Sequence, residues 1–552
     1  MMITLPLLAA LIFGGVSDAP MSDWTHEFKP AGEFPKSVGQ PLSADRLAEL
    51  KRGTAPLPYG DLTTGLRTPD GTLWLGTTKG LLRLEPGADR YLLFHSRRWL
   101  PDDRIDELAL AGNGAIWART PGGMVRLWQR QTTLDQKMTA IHTALRAHHI
   151  RLGMVGAIQT KTPGTTKDGY AQPSNDNDGL WTSLYVAAEA FRYGSTGEVE
   201  ARKNAWQSLS AMLFLEQVTG IPGFVARSVV PASDDPRRYG GQWHRSANGR
   251  WWWKGDTSSD EVDGHYFAHA IYYDLAATDE QKEKIRGLIT RMTDHILDHG
   301  GFYVGPSGKP TTWGVWAPEK LNHDLKWIGE RGLNSLEWLS HLKVAEHITG
   351  LERYTEAIKE LNDRYAYDIN TVRQKFIWPA NLVNHSDDEL AFVAYYPLLW
   401  YERDARQRKI YLLSIERSWR IERPEHSPLF NFIYAAARQA NRWKEPSQRP
   451  SEAFVDPKVY DRDLCIAWFR EVPTDMYRWS ITNHDRHDLG PLSRNRSGQV
   501  CSRFVLPIGE RPLNKWNGDP YQLDGGGDGR ERDDGTFVLL PYWMGRYHRL
   551  LE

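Results

Sequence analysis

From residue 134 onward the chain alternates between two kinds of helical segment, and this alternation narrows the fold more than any other feature. One kind is amphipathic and charged: 134–150, 197–219, 279–299, 352–368, 405–420 and 459–470. The other is apolar and aromatic along most of its length and opens on a polar cluster. Its six members are "NDNDGLWTSLYVAAEAFRY" (175–193), "SSDEVDGHYFAHAIYYD" (258–274), "RGLNSLEWLSHLKVAEH" (331–347), "HSDDELAFVAYYPLLWYE" (385–402), "HSPLFNFIYAAARQA" (426–440) and "RDDGTFVLLPYWMGRYH" (532–548). A helix that is apolar all round must be surrounded by protein, whereas one with a charged face meets water there. Six of each, alternating, predict a mainly α chain folded as an (α/α)6 toroid over residues 134–552. Chain direction reverses at each step, so every inner helix starts at the same end. Free N–H groups and positive dipole ends then converge on one mouth. A single polar start reads as an N-cap; six of them with added acids and histidines read as a site.

The richest of these starts is "WWWKGDTSSDEVDGHYFAHAIYYD" (251–274). Three tryptophans need apolar partners, and five acids avoid an ordinary core helix. A loop wall running into an inner helix at the mouth satisfies both halves. The chain holds 23 tryptophans. Beside Asp, Asn and His clusters they suit a ligand with apolar faces and polar edges, such as a sugar, although rings at domain interfaces would raise the count equally. The net charge of −1 and pI near 7.0 give no electrostatic reason to expect nucleic acid or an anionic membrane.

The remainder divides into three parts. Residues 1–19 carry an apolar run from Ile3 to Phe13 and a small-x-small site at Ser17-Asp18-Ala19, read as a secretory signal; the expected location is secreted or periplasmic. The run is too short to span a bilayer, so no membrane span is expected. Residues 20–57 read as a linker or irregular lead-in. Residues 58–130 contain a repeat, "DGTLWLGTTKGLLRL" (70–84) returning as "NGAIWARTPGGMVRL" (113–127) at a lag of 43. Short strands between glycine turns at this period resemble the blade hairpins of two-component-regulator propellers. Two copies cannot close a propeller, so a small β-rich region packed on the toroid is expected. Cys465 and Cys501 either pair in an oxidising compartment or remain two buried thiols.

No metal motif is complete: HExxH, CxxC and EF-hand spacings are all missing from the sequence, and no cofactor is expected. "NDNDG" offers oxygen ligands for Ca2+ without the full loop pattern. There is no phosphate-binding glycine loop and no GxSxG, and "GGGDGRERDDG" (525–535) reads as a flexible turn into the last helix. The chemistry-bearing side chains lie at the helix starts and in the loops before them.

"WKGDTSSDEVDGHYFAHAIYYD", with "NDNDGLW" ahead of it, resembles the toroid-type carbohydrate-active enzymes. With the propeller-like lead-in and the export signal, the chain resembles the rhamnose–glucuronate lyases of polysaccharide lyase family 27. The resemblance implies β-elimination on a uronate-containing polysaccharide or oligosaccharide. Such a reaction needs a base at C5, an acid at the leaving oxygen and a neutraliser for the substrate carboxylate. The implied roles fall on His265 as base, His323 or Tyr266 as acid, and Arg331 with Asn334 as neutralisers. Residues 265 and 266 point about 100° apart on a helix, which favours His323 over Tyr266. Substrate contacts are expected from Asn177, Asp178, Arg227, Trp243, Trp253, Lys254, Asp260, Glu261, Trp316 and His385. Two other readings stay open. A toroid glycoside hydrolase would use two carboxyl groups among Asp178, Asp260, Glu261, Asp263, Asp388 and Asp534, and a non-catalytic glycan-binding or sensor module would need only the aromatic rings.

Overall fold

The computed structural model describes residues 19–51, 56–375, 384–440, 448–452, 455–490, 493–495, 497–502, 504–513 and 518–552. The apolar leader 1–18 lies outside the described residues. Twelve helices make the toroid: α1 Leu134–His148, α2 Asp178–Thr196, α3 Val199–Gln217, α4 Ser259–Leu275, α5 Asp279–Asp298, α6 Arg331–Thr349, α7 Glu352–Tyr365, α8 His385–Tyr401, α9 Ala405–Glu422, α10 Pro428–Gln439, α11 Arg462–Glu471 and α12 Thr536–Tyr547. Even-numbered helices pack each against the next, and α12 returns to α2, which closes the inner ring. Odd-numbered helices flank them outside. The burial follows the composition: α8 is buried at every residue from Asp388 to Tyr401, whereas α7 buries only Tyr354, Ile358 and Leu361.

Inner helices approach closely where a side chain is missing. A Cβ on Gly264 of α4 would stand 2.8 Å from the Leu180 Cα of α2, so only glycine fits that crossing. The helix starts gather at one end. Asn177, ahead of α2, donates to Asp260 in the first turn of α4 at 2.6 Å. Lys375 bridges Glu330, the residue before α6, and Asp387 in the first turn of α8, at 2.6 and 2.7 Å. Glu389, Phe430 and Phe537, near the starts of α8, α10 and α12, line one small cavity. The opposite end is closed by side chains: Tyr401 and His347 both reach Asp274, at 2.7 and 2.8 Å, and Tyr396 meets His548 at 3.0 Å.

The N-terminal region differs from the expected linker. Strand Met21–Lys29 pairs in register with residues 124–132, because its half-buried rings, Trp24 among them, pack on Trp74 and Phe94. Two antiparallel sheets result, one of four strands (21–29, 123–132, 116–120, 107–110) and one of five (40–41, 64–67, 73–76, 81–84, 92–94). Each copy of the repeat contributes a hairpin to a different sheet. The sheets rest on the 475–525 segment through Arg98 to the Tyr477 carbonyl (2.5 Å), the Leu93 amide to Glu510 (3.2 Å) and Tyr59 to the Thr482 carbonyl (3.4 Å).

Two stretches read as loops are strands. Trp251–Lys254 is the central strand of a three-stranded sheet with 228–231 and 243–245, and Gly525–Arg532 lies between 158–162 and 477–481 in a four-stranded one. Both sit beside the mouth, and partners distant in sequence supply their hydrogen bonds. Cys465 and Cys501 are free and buried; Cys465 accepts from the Asn431 amide at 3.2 Å and the Cys501 thiol faces Asp519 at 3.3 Å. Among the described residues no helix is long and apolar enough to cross a membrane.

Candidate functional site

At the mouth, the segment before α2 and the strand before α4 deliver one polar network. Arg227 donates through Nη2 to Asp176 (2.7 Å) and through Nε to the Asn177 side-chain oxygen (2.8 Å). Lys254 donates to the other oxygen of Asp176. Asn177 in turn donates to Asp260. Asp176 is the exposed member, with 65% of its side chain open to solvent, while Arg227 and Lys254 are largely covered. Two cationic side chains thus meet on one carboxyl group, each on a different oxygen. Asp260 is half-buried, and burial pushes its carboxyl above the ordinary range, against the pull of Ser258 and Arg227; the charge on Asp176 adds to the rise. Two neighbouring carboxyl groups thus sit in opposite environments, one ion-paired and one biased toward its protonated form.

Beneath this network lies a layer of buried titratable groups. Glu261 accepts the Leu180 amide at 3.0 Å, and its other oxygen lies 3.4 Å from His265 Nε2. Asp263 meets His341 at 3.1 Å, and Glu337 accepts the Trp316 indole N–H at 2.9 Å. One oxygen of each of these acids, and both nitrogens of His265, have no hydrogen-bond partner. Burial raises Glu261 and Asp263 well above the usual carboxylate range and pushes Glu337 up to about 8, with Asp260, Asp387 and Glu330 adding to the last. Burial likewise drives His265 well below its ordinary value and His341 down to about 3. The layer is held neutral because the interior cannot solvate charge.

Against the sequence expectations, Asn177, Arg227, Lys254 and Asp260 meet at the mouth, and Asp178 and Glu261 lie just under it. Asp178 is taken up by Arg151 (2.6 Å) and Ser228 (2.5 Å). Trp243 is half-buried at the rim, its indole donating to the Gly240 carbonyl at 2.6 Å. His265 is fully buried rather than facing the opening. Tyr266 points to the outer ring, where it bonds Thr293 at 2.9 Å and stacks on His341. His323 is exposed on the loop after Pro318–Leu321. Arg331 donates to the carbonyls of Leu321 (2.6 Å) and Asn322 (3.3 Å), and the buried Asn334 to that of Val315 (2.8 Å). Trp253 and Trp316 are core residues, and His385 belongs to a second cluster with Glu425 and Asp519. The proposed base, acids and neutralisers of a lyase therefore do not converge on one point. Tyr266, Arg331 and Asn334 each have a backbone or core partner nearer than the mouth.

Sequence reading missed Asp176, whose role follows from two cations brought from residues 227 and 254, and Glu337 with His341, which look like helix-interior residues. The exposed Trp313, at 53%, adds an apolar ring to the rim; its neighbour Thr312 bonds Asp256, whose carbonyl accepts from Arg227.

No family model matches the sequence, and no curated protein does. Among solved structures, similarity is found to a family 76 α-1,6-mannanase from Salegentibacter sp. HEL1_6, at 9% identity over 76% of this chain and 100% of that one, with a TM-score of 0.29. A family 76 mannosidase from Bacteroides thetaiotaomicron VPI-5482 gives 14% identity over 52% and 86%, with a TM-score of 0.26. A family 76 glycoside hydrolase from a bovine strain of the same species gives 10% over 72% and 91%, with a TM-score of 0.25. All three are glycoside hydrolases, and none is a lyase of family 27. Likeness at this level decides neither fold nor activity, which rest on the ring of helices and the geometry of its mouth.

Proposed function

We propose that this protein is a glycoside hydrolase that cleaves a polysaccharide or oligosaccharide at the mouth of the toroid. The observation that carries the reading is the Asp260–Asp176 pair. Asp260, biased toward its protonated form by burial, donates a proton to the departing glycosidic oxygen. Asp176, paired with Arg227 and Lys254, supplies the second carboxyl group beside it, and two carboxyl groups in different environments are what acid–base cleavage of a glycoside needs. Trp243 and Trp313 offer apolar faces for sugar rings.

The lyase reading has less support. It requires free donors to neutralise a substrate carboxylate, yet Arg227 and Lys254 are satisfied by Asp176, and Arg331 and Asn334 by backbone carbonyls. The same pairings remove the basis for preferring a uronate over a neutral glycan, so the substrate class is left as a glycan. Secretion, inferred from the leader, and a propeller-like origin for the two hairpins belong to the proposal as well.

The test is to incubate the purified protein with neutral and uronate-bearing glycans while following reducing ends and the ultraviolet absorbance of 4,5-unsaturated uronates. Reducing ends without that absorbance are expected, and Asp260→Asn should lower kcat by a factor of about 10²–10⁴. Unsaturated product would restore the lyase. Binding without any cleavage would leave a recognition module.

A further inference from the structure

A second cluster stands on the other side of the mouth, where α8 begins and α9 ends. His385 opens α8 and Asp388 lies one turn on; Glu422 is the last residue of α9. Donor atoms from these three side chains all lie within 4.8 Å of one another. Asp388 and Glu422 are 1% and 2% exposed. One Asp388 oxygen accepts the Gln374 amide at 3.0 Å, but its other oxygen, one oxygen of Glu422, and His385 Nε2 have no hydrogen-bond donor. Glu389, 4% exposed, also leaves an oxygen unpartnered. Glu425 and Asp519 stand 3.8 and 3.4 Å from the two ring nitrogens of His385. Four carboxyl groups, those of Asp388, Glu422, Glu425 and Asp519, therefore crowd one largely covered imidazole, and the guanidinium beside them, Arg511, is itself buried and donates to the Pro520 carbonyl at 3.0 Å. A cavity of about 50 Å³ borders the cluster at Glu389, Glu425 and Arg511.

Buried carboxylates that face one another with no donor between them are strongly destabilising. A shared proton, a protonated imidazole or a bound cation can reconcile the arrangement. The convergence of one ring nitrogen and two unpartnered carboxylate oxygens within 4.8 Å argues for the bound cation. One nitrogen and two carboxylate ligands, with room for water, suit a first-row divalent ion better than Ca2+, which prefers an all-oxygen shell of six or more ligands.

We infer that His385, Asp388 and Glu422 form a divalent-metal site, taking Mn2+ or Zn2+, that ties the start of an inner helix to the end of an outer one. Glu425 and Asp519 orient the imidazole electrostatically, and water completes the coordination through the bordering cavity. The inference stands apart from the proposed hydrolysis, because neither Asp176 nor Asp260 belongs to the cluster.

The full chain, stripped with a chelator and dialysed, would be titrated with MnCl2 and separately with ZnCl2 by calorimetry, with melting temperatures recorded in parallel. One of the two ions should saturate near one equivalent and raise the melting temperature. His385→Gln and Glu422→Gln, both of which keep a polar side chain of similar length, should each weaken that binding about tenfold or more. Failure of both ions to bind the wild-type chain would overturn the inference. So would binding that neither substitution weakens, which places the ion elsewhere. A metal-free Glu422→Gln that melts higher than wild type, with no response to either ion in the wild-type chain, would assign the cluster to a shared proton instead.

Discussion

Glu337→Gln is expected to stabilise the protein at pH 8 and to leave it nearly unchanged at pH 5. Glu337 is fully buried, keeps one oxygen on the Trp316 indole N–H at 2.9 Å and leaves the other unpaired beside Asp263. Burial moves its carboxyl from an ordinary 4.5 to about 8. Between those values the folded chain holds a proton that the unfolded chain releases. Stability from this group is therefore fully present below about 4.5 and is lost as pH rises through 8, at a slope of about 1.4 kcal/mol per pH unit. The ceiling over that window is on the order of 5 kcal/mol, and relaxation around the site reduces it to roughly 2–4 kcal/mol. Glutamine keeps the acceptor for Trp316, adds an N–H where Asp263 needs one, and does not ionise. For a chain of this size such an amount corresponds to a rise in Tm of roughly 2–3 °C at pH 8. Thermal melts of both proteins at pH 5, 6.5 and 8 measure it. A gap in Tm that does not change with pH, or a variant that melts below wild type at pH 8, would refute the reasoning.

Other perturbations probe separate features. His265→Ala removes a fully buried ring with no hydrogen-bond partner, so it should cost about 2–4 kcal/mol in stability while the folded fraction turns over normally; a hundredfold fall in kcat at unchanged Tm would put the imidazole back in the reaction. Gly223 has φ +78° and a Cβ there would run into the Arg291 carbonyl, so Gly223→Ala should lower the denaturation midpoint by the equivalent of about 2 kcal/mol or more, and a wild-type midpoint would contradict the close approach. Denatured without reductant, the chain should titrate two thiols, Cys465 and Cys501; none would mean a disulfide the fold does not contain. Asp176→Ala should leave Arg227 and Lys254 without their shared anion, so weak binding of anionic sugars should improve while hydrolysis falls; unchanged affinity for a uronate monosaccharide would show the cations are not accessible.

Most of the architecture was legible in the sequence. Helix α8 reads as an inner helix because residues 390–401 are apolar or aromatic on every face, and α7 as an outer one because its charges keep to one side; burial of apolar surface is a local property that periodicity reports. The common end of the six starts follows from chain reversal alone. What the sequence did not determine is where a polar side chain finds its partner. Tyr266, Arg331 and Asn334 look like site residues in one dimension, but Thr293 and the carbonyls of Leu321 and Val315 lie nearer than the mouth. Strand Met21–Lys29 reads as a lead-in because the strand it pairs with begins a hundred residues later. Asp176 takes its meaning from Arg227 and Lys254, and the His385–Asp388–Glu422 cluster joins residues from two helices. Hydrogen bonds and ion pairs act over about 3 Å in space, without regard to separation along the chain, so only the tertiary structure decides which of them form.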